Sequence, residues 1–184
     1  MSLRGGIGLP ELPIEDGQEF RLGIMGGTFD PIHYGHLVTA EQARESLDLD
    51  AVLFMPAGSP AFKLDKPVTP AEDRYAMTVL ATAANPAFLA SRFEIDRAGI
   101  TYTADTLRAL REFYPPQVKL YFITGADAII DIVTWHNADE IAELATFIAA
   151  TRPGFDIDTA RARIKESGLP FDVRYIQIPA LAIS

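Results

Sequence analysis

The chain of 184 residues contains no cysteine. That excludes disulfide staples, thiol catalysis and cysteine-ligated zinc, and it accords with a reducing compartment. Positive charge is also scarce: 16 Lys and Arg face 25 Asp and Glu, a net charge of −9. So acidic a chain lacks the broad field that nucleic acids or anionic membranes attract, and neither is expected as a partner. Any phosphate it takes must be held by a local cluster of donors. No apolar run approaches the roughly 18 residues of a membrane span. The first twenty residues carry four acidic side chains and no apolar stretch behind a basic one, unlike a secretory signal. With no targeting signal and no cysteine, the expected location is cytoplasmic. Two phosphate motifs are missing as well. The G-K-[ST] of a Walker A loop occurs nowhere, and Gly23, Gly26 and Gly27 do not make G-x-G-x-x-G.

What is present is ordinary globular material, 48% apolar and 22% charged. Residues 1–19, rich in glycine, proline and acid, read as a flexible tail before one domain over 20–184. From Phe20 onward, short apolar runs alternate with amphipathic stretches, the pattern of a parallel sheet wrapped by helices. Strands are predicted at Arg21–Met25, Ala51–Met55, Phe88–Ser91, Val118–Ile123, Thr146–Ala149 and Val173–Ile178. Their near-continuous hydrophobicity predicts cover on both faces. Helices are predicted at Gly35–Leu47, Pro70–Ala84, Asp105–Tyr114, as a short pair across Asp127–Leu144, and at Thr159–Ser167. Thr69 is placed to cap the second, with Pro70 at its first position and Glu72 at its third. The expected fold class is α/β, a doubly wound and mainly parallel sheet.

The first strand runs into Gly26-Gly27-Thr28-Phe29-Asp30-Pro31-Ile32-His33-Tyr34-Gly35-His36, and a helical pattern follows. Strand, glycine turn and helix make a phosphate-binding layout. Glycines at 26 and 27 permit unusual backbone angles and leave the main-chain amides open to a ligand. The helix directs unpaired N–H groups and its positive dipole end to the same space. His33 and His36, three apart at the helix start, can face one side and reach one anion as paired donors. A bound phosphate would raise both imidazole pKa values and favour the charged donor form. The only other histidine, His136, follows the lone tryptophan.

The segment GGTFDPIHYGH resembles the G-x-F-D-P-x-H-x-G-H signature of the nucleotidyltransferases with an H-x-G-H motif, whose fold is Rossmann-like. Within them, the chain is similar to the nicotinate-nucleotide adenylyltransferases. The similarity there rests on Thr101-Tyr102-Thr103-Ala104-Asp105-Thr106-Leu107, and on Gly125-Ala126-Asp127 with Trp135 eight residues after Asp127. The resemblance implies adenylyl transfer from ATP to nicotinate mononucleotide, giving deamido-NAD and pyrophosphate in NAD biosynthesis. Mg²⁺ would arrive with ATP, held by phosphate and water rather than by a dedicated metal site. It further implies that His33 and His36 stabilise charge at the ATP phosphates. Gly26, Gly27, Thr28 and Phe29 would line ATP, together with Gly125, Asp127, Arg152 and Ser184. Lys63, Tyr102, Thr103 and Trp135 would serve the mononucleotide.

Several of these positions have a plainer reading. Asp127 could simply cap a helix, Trp135 could pack in the core, Arg152 could be solvated, and Lys66 could stand in for Lys63. Family members also continue past a final strand into I-S-S-x-x-x-R, where this sequence reaches Ile183-Ser184, so the sequence is expected to stop inside that motif. Two alternatives accompany the main reading: a pantetheine-phosphate adenylyltransferase, and a non-catalytic nucleotide-binding or regulatory relative. Nothing in the sequence decides the oligomeric state, and a homo-oligomer is compatible with it.

Overall fold

The computed structural model describes residues 8–60, 67–97, 99–152 and 154–179. Its elements, in chain order, are β1 (Phe20–Gly27), α1 (Tyr34–Ser46), β2 (Ala51–Pro56), β3 (Ser59–Pro60), α2 (Ala71–Thr82), β4 (Phe88–Ala90), β5 (Ile100–Thr101), α3 (Thr103–Phe113), β6 (Val118–Gly125), α4 (Ala126–Ile130), α5 (Ala138–Leu144), β7 (Thr146–Thr151), α6 (Ile157–Ser167) and β8 (Val173–Gln177). A 3₁₀ turn, Ile132–Thr134, joins α4 to α5. Six strands form one wholly parallel sheet in the order β4-β2-β1-β6-β7-β8. The chain steps outward from β1 through β2 to β4, then returns to β6 on the other side and continues to β7 and β8. Crossovers that leave β1 and β6 in opposite directions open a crevice beyond their carboxyl ends.

Each strand alternates its side chains between two cores. On one face Leu22, Ile24, Leu53, Phe122 and Phe147 pack with Leu107 and Leu110 of α3, Ile129 of α4 and Ile141 of α5. On the other, Met25, Val52, Phe54, Ile123 and Ile148 pack with Ala40 and Ala43 of α1 and, partly buried, Met77 and Ala81 of α2. Helices on both faces make the sheet doubly wound, as the sequence pattern predicts. All six residues of β2 are buried, which is why that run has no polar alternation. Among the described residues, no helix is long and apolar enough to cross a membrane.

The structure departs from the sequence-based expectations in four places. The described part of the predicted tail is docked: Leu9 is buried, Leu12 and Ile14 pack on the core, the Gly8 carbonyl accepts from Ser91 Oγ at 2.8 Å, and that of Pro10 accepts from the Tyr114 hydroxyl at 2.7 Å. Apolar residues at 9, 12 and 14 cover surface that helix α3 leaves open, so this segment gains more by packing than by solvation. The second correction concerns α2, where Pro70 rather than Thr69 is the N-cap and no side chain caps the helix. Thr69 instead donates its backbone N–H to Asp30 Oδ2 at 3.0 Å. Third, α6 begins two residues early, because Asp156 Oδ1 accepts from the N–H groups of Asp158 and Thr159 and sets the start at Ile157. Fourth, α3 opens at Thr103, directly after β5. There β3 and β5 form a two-stranded parallel ladder pairing Ser59 with Ile100 and Pro60 with Thr101. No periodicity marks pairs this short.

Candidate active site

A cleft of about 410 Å³ lies beyond the carboxyl ends of β1, β6 and β7. Gly26, His33, Gly35, His36, Thr39, Gly125, Asp127 and Arg152 line it together. Helix α1 starts here, with His33 as its extended N-cap and His36 three residues on. The two imidazoles stack, centroids 3.8 Å apart and planes 29° apart. The His33 backbone N–H donates to His36 Nδ1 at 3.2 Å, the arrangement by which an N3 side chain satisfies an orphan donor at a helix start.

That bond has a chemical consequence. With Nδ1 occupied as acceptor, a neutral His36 carries its proton on Nε2, the nitrogen left to donate. Burial first, and the nearby His33 second, push the His36 pKa down to about 4. In the absence of an anion, His36 is therefore a neutral Nε2–H donor at neutral pH. A phosphate arriving at the cleft would favour the charged form.

The glycine turn works differently from the sequence expectation. Neither Gly26 nor Gly27 adopts a positive φ; the left-handed residue is Phe29, at φ 49°. Phe29 is buried, and its ring meets His36 edge-on at 5.0 Å. A Cβ on Gly27 would lie 3.0 Å from that ring, so glycine at 27 makes room for Phe29. Only Gly26 of the turn lines the cleft. Gly27, Thr28 and Phe29 are not among its lining residues, and of these the Phe29 ring packs against His36.

A second cavity, about 530 Å³, is lined by Thr101, Tyr102, Thr103, Asp131, Thr134, Trp135, His136 and Ile141. Tyr102 caps α3 and Thr103 is its first residue. Trp135 follows the 3₁₀ turn, half-buried, with its ring edge-on to Phe122 at 6.2 Å and to Phe147 at 6.4 Å. Core packing thus fixes the indole while part of it faces the cavity. The rings of Tyr102 and His136 lie 4.5 Å apart. Three of the four residues expected to serve the mononucleotide meet here although more than thirty positions separate Thr103 from Trp135. Lys63, Lys66 and Ser184 lie outside the described residues. Asp127 is exposed in the first turn of α4, whose cap is Gly125, so the helix-cap reading of Asp127 does not hold.

Two residues the sequence did not single out are buried nearby. Arg74, 1% exposed, donates to the carbonyls of Thr28 at 2.6 Å, Thr69 at 2.8 Å and Gly58 at 3.2 Å. Glu94 accepts from the Thr106 hydroxyl at 2.6 Å, and burial raises its pKa to about 7. An arginine on a helix and an acid in a loop ordinarily read as surface, so no local signal could have found either.

The parallel sheet, with helices on both faces and a stacked imidazole pair at a helix start beyond its carboxyl edge, is an α/β fold of the Rossmann-like nucleotidyltransferase class. Comparison narrows the class. Residues 24–178 match the family described as cytidylyltransferase-like. The chain is 57% identical over 170 residues to a protein of Moorella thermoacetica named "Probable nicotinate-nucleotide adenylyltransferase", covering 89% of this chain and 76% of that one. It is 55% identical over 161 residues to a protein of the same name from Salinispora arenicola, covering 87% and 82%. The fold superposes on the nicotinic acid mononucleotide adenylyltransferase of Plasmodium falciparum complexed with NaAD, with a TM-score of 0.71, 23% identity and 89% and 78% coverage. The chain belongs to the cytidylyltransferase-like family and, within it, to the nicotinate-nucleotide adenylyltransferases.

Proposed function

We propose that this protein transfers the adenylyl group of ATP to nicotinate mononucleotide, forming deamido-NAD and releasing pyrophosphate. The observation that carries the reading is the His33–His36 pair stacked at the mouth of the cleft. A phosphate oxygen of the mononucleotide attacks the α-phosphorus of ATP, the bond from that phosphorus to the bridging oxygen of the β-phosphate breaks, and its electron pair leaves with pyrophosphate. The attacking oxygen is already ionised, so no base is needed. Positioning and charge neutralisation are the protein's task. His36 Nε2–H and His33 donate to phosphate oxygens as charge shifts toward the leaving group. The opening turn of α1 adds its backbone N–H groups. Arg152, which lines the same cleft, supplies a cation, and Asp127 accepts from a ribose hydroxyl. The second cavity takes the pyridine ring between Trp135 and Tyr102, with Thr103 donating to its carboxylate.

Asp127 is the one carboxylate lining the cleft among the described residues. Those residues fit a divalent ion that enters with the triphosphate, held by phosphate oxygens and water. Mg²⁺ is the ion proposed, and the cytoplasm the expected setting. The names of the relatives favour the pyridine substrate over phosphopantetheine. The test incubates the protein with ATP and Mg²⁺ and, separately, nicotinate mononucleotide, its amide and phosphopantetheine, and measures pyrophosphate and the dinucleotide. Turnover is expected with the acid mononucleotide. Nucleotide binding with no turnover on any acceptor would sink the enzymatic reading in favour of a regulatory one.

A further inference from the structure

Arg74 is the one arginine on the first turns of α2, and its guanidinium reaches three separate stretches of chain. Thr28 belongs to the turn after β1. Gly58 follows β2, and Thr69 precedes α2, so these two carbonyls bracket the intervening loop at both ends. Asp30 ties the same parts again by accepting the Thr69 N–H, and its charge supports the buried guanidinium. A planar fork of donors can satisfy three carbonyls in different directions, whereas an ammonium on a flexible stem cannot hold them in one fixed geometry.

The Thr28 bond matters for the reaction. Fixing that carbonyl orients the peptide between Thr28 and Phe29, where the backbone turns into the left-handed region at φ 49°. A non-glycine residue persists there only when its surroundings over-determine it. The Phe29 ring then fills the space against Gly27 and presents its edge to His36. We propose that Arg74 is a positioning residue for adenylyl transfer: by clamping the Thr28, Gly58 and Thr69 carbonyls it locks Phe29 beneath His36 and so aims the His36 imidazole at the phosphates. This rests on the proposed reaction, but the link from Arg74 to His36 is a property of the protein without substrate.

The test compares wild type with R74K, which keeps the charge and loses the fork. R74K should lower kcat by about tenfold or more, the size expected when a catalytic group is displaced by a fraction of an ångström to an ångström. KM for the mononucleotide, bound in the other cavity, should stay within about twofold. In substrate-free protein, the NMR titration of the His36 ring should move upward from about 4 as the ring loosens toward solvent. Phe29→Leu removes the ring without touching the clamp, and because both act on one path, its loss and that of R74K should combine to less than their sum. A folded R74K with wild-type kcat and an unmoved His36 titration overturns the proposal, as do losses that simply add. Should R74K fail to fold, Phe29→Leu alone decides: an unchanged kcat and titration there break the path at its second link. Absence of turnover in wild type defeats the reaction, not this link, which the titration still tests.

Discussion

Two titratable side chains, the half-buried His36 and the buried Glu94, pull stability in opposite directions with pH. His36 has a folded pKa near 4, below the ordinary value of 6.5. The folded state favours the neutral ring, so this contribution is whole above about pH 6.5 and is lost as pH falls toward 4. Glu94 has a folded pKa near 7, above the ordinary 4.5. The folded state favours its protonated form, so that contribution is whole below about 4.5 and is lost as pH rises through 7. Urea melts from pH 4 to 8 should separate them: Glu94→Gln should gain on wild type as pH rises to 8, and His36→Asn should gain as pH falls toward 4. Parallel curves for wild type and variant would refute the assignment. His36→Ala should keep the fold and lose about 10²- to 10³-fold in kcat, as when one preorganised donor to developing charge is removed; pyrophosphate release measures it. The histidines were legible from their spacing after a glycine turn. The neutral state of His36 was not, because desolvation depends on which rings and helices surround it.

The glycine turn and the chain entering α2 are tied together through Arg74 and Asp30. Gly58 shows how tightly: a Cβ there would lie 2.3 Å from the Glu94 carbonyl oxygen, a backbone atom that cannot swing aside. Gly58→Ala should therefore destabilise by about 1–3 kcal/mol, the usual cost of overpacking, read as a lower urea midpoint with an unchanged slope. A contrasting case is Asp156, whose carboxylate caps α6. Asp156→Ala should cost about 1 kcal/mol, again read as a lower urea midpoint. The element plan itself was readable. Every predicted strand and helix is present within a few residues, because apolar runs and helical spacing are local signals. The β3–β5 ladder escaped notice since its pairing joins residues about forty positions apart. The same ladder sets Thr101 and Tyr102 beside the end of the β2 loop.

At the scale of the whole molecule, the proposed reaction asks an acidic chain of net charge −9 to take a polyanionic substrate into the cleft at the sheet's carboxyl edge. Charge compensation must then come with the ligand. Chelation with EDTA should abolish turnover while leaving the melting temperature of the nucleotide-free protein unchanged, and added Mg²⁺ should restore the rate. A fall in the melting temperature of that protein would instead reveal a structural ion. Raised salt should weaken ATP binding only modestly, since among the described residues Arg152 is the one lysine or arginine lining the cleft.

The amino-acid sequence by itself determined the alternation of strands and helices, the doubly wound class, and the histidine pair at the opening of α1. Each follows from short-range spacing, which the chain carries wherever it goes. Only the tertiary structure decided that Arg74 would be buried against three carbonyls, that Glu94 would be buried beside Thr106, and that Tyr102, Thr103 and Trp135 would share a cavity. Burial and convergence arise when distant segments pack together, and both the loss of water and the meeting of partners are properties of the packed chain, absent from any local stretch of it.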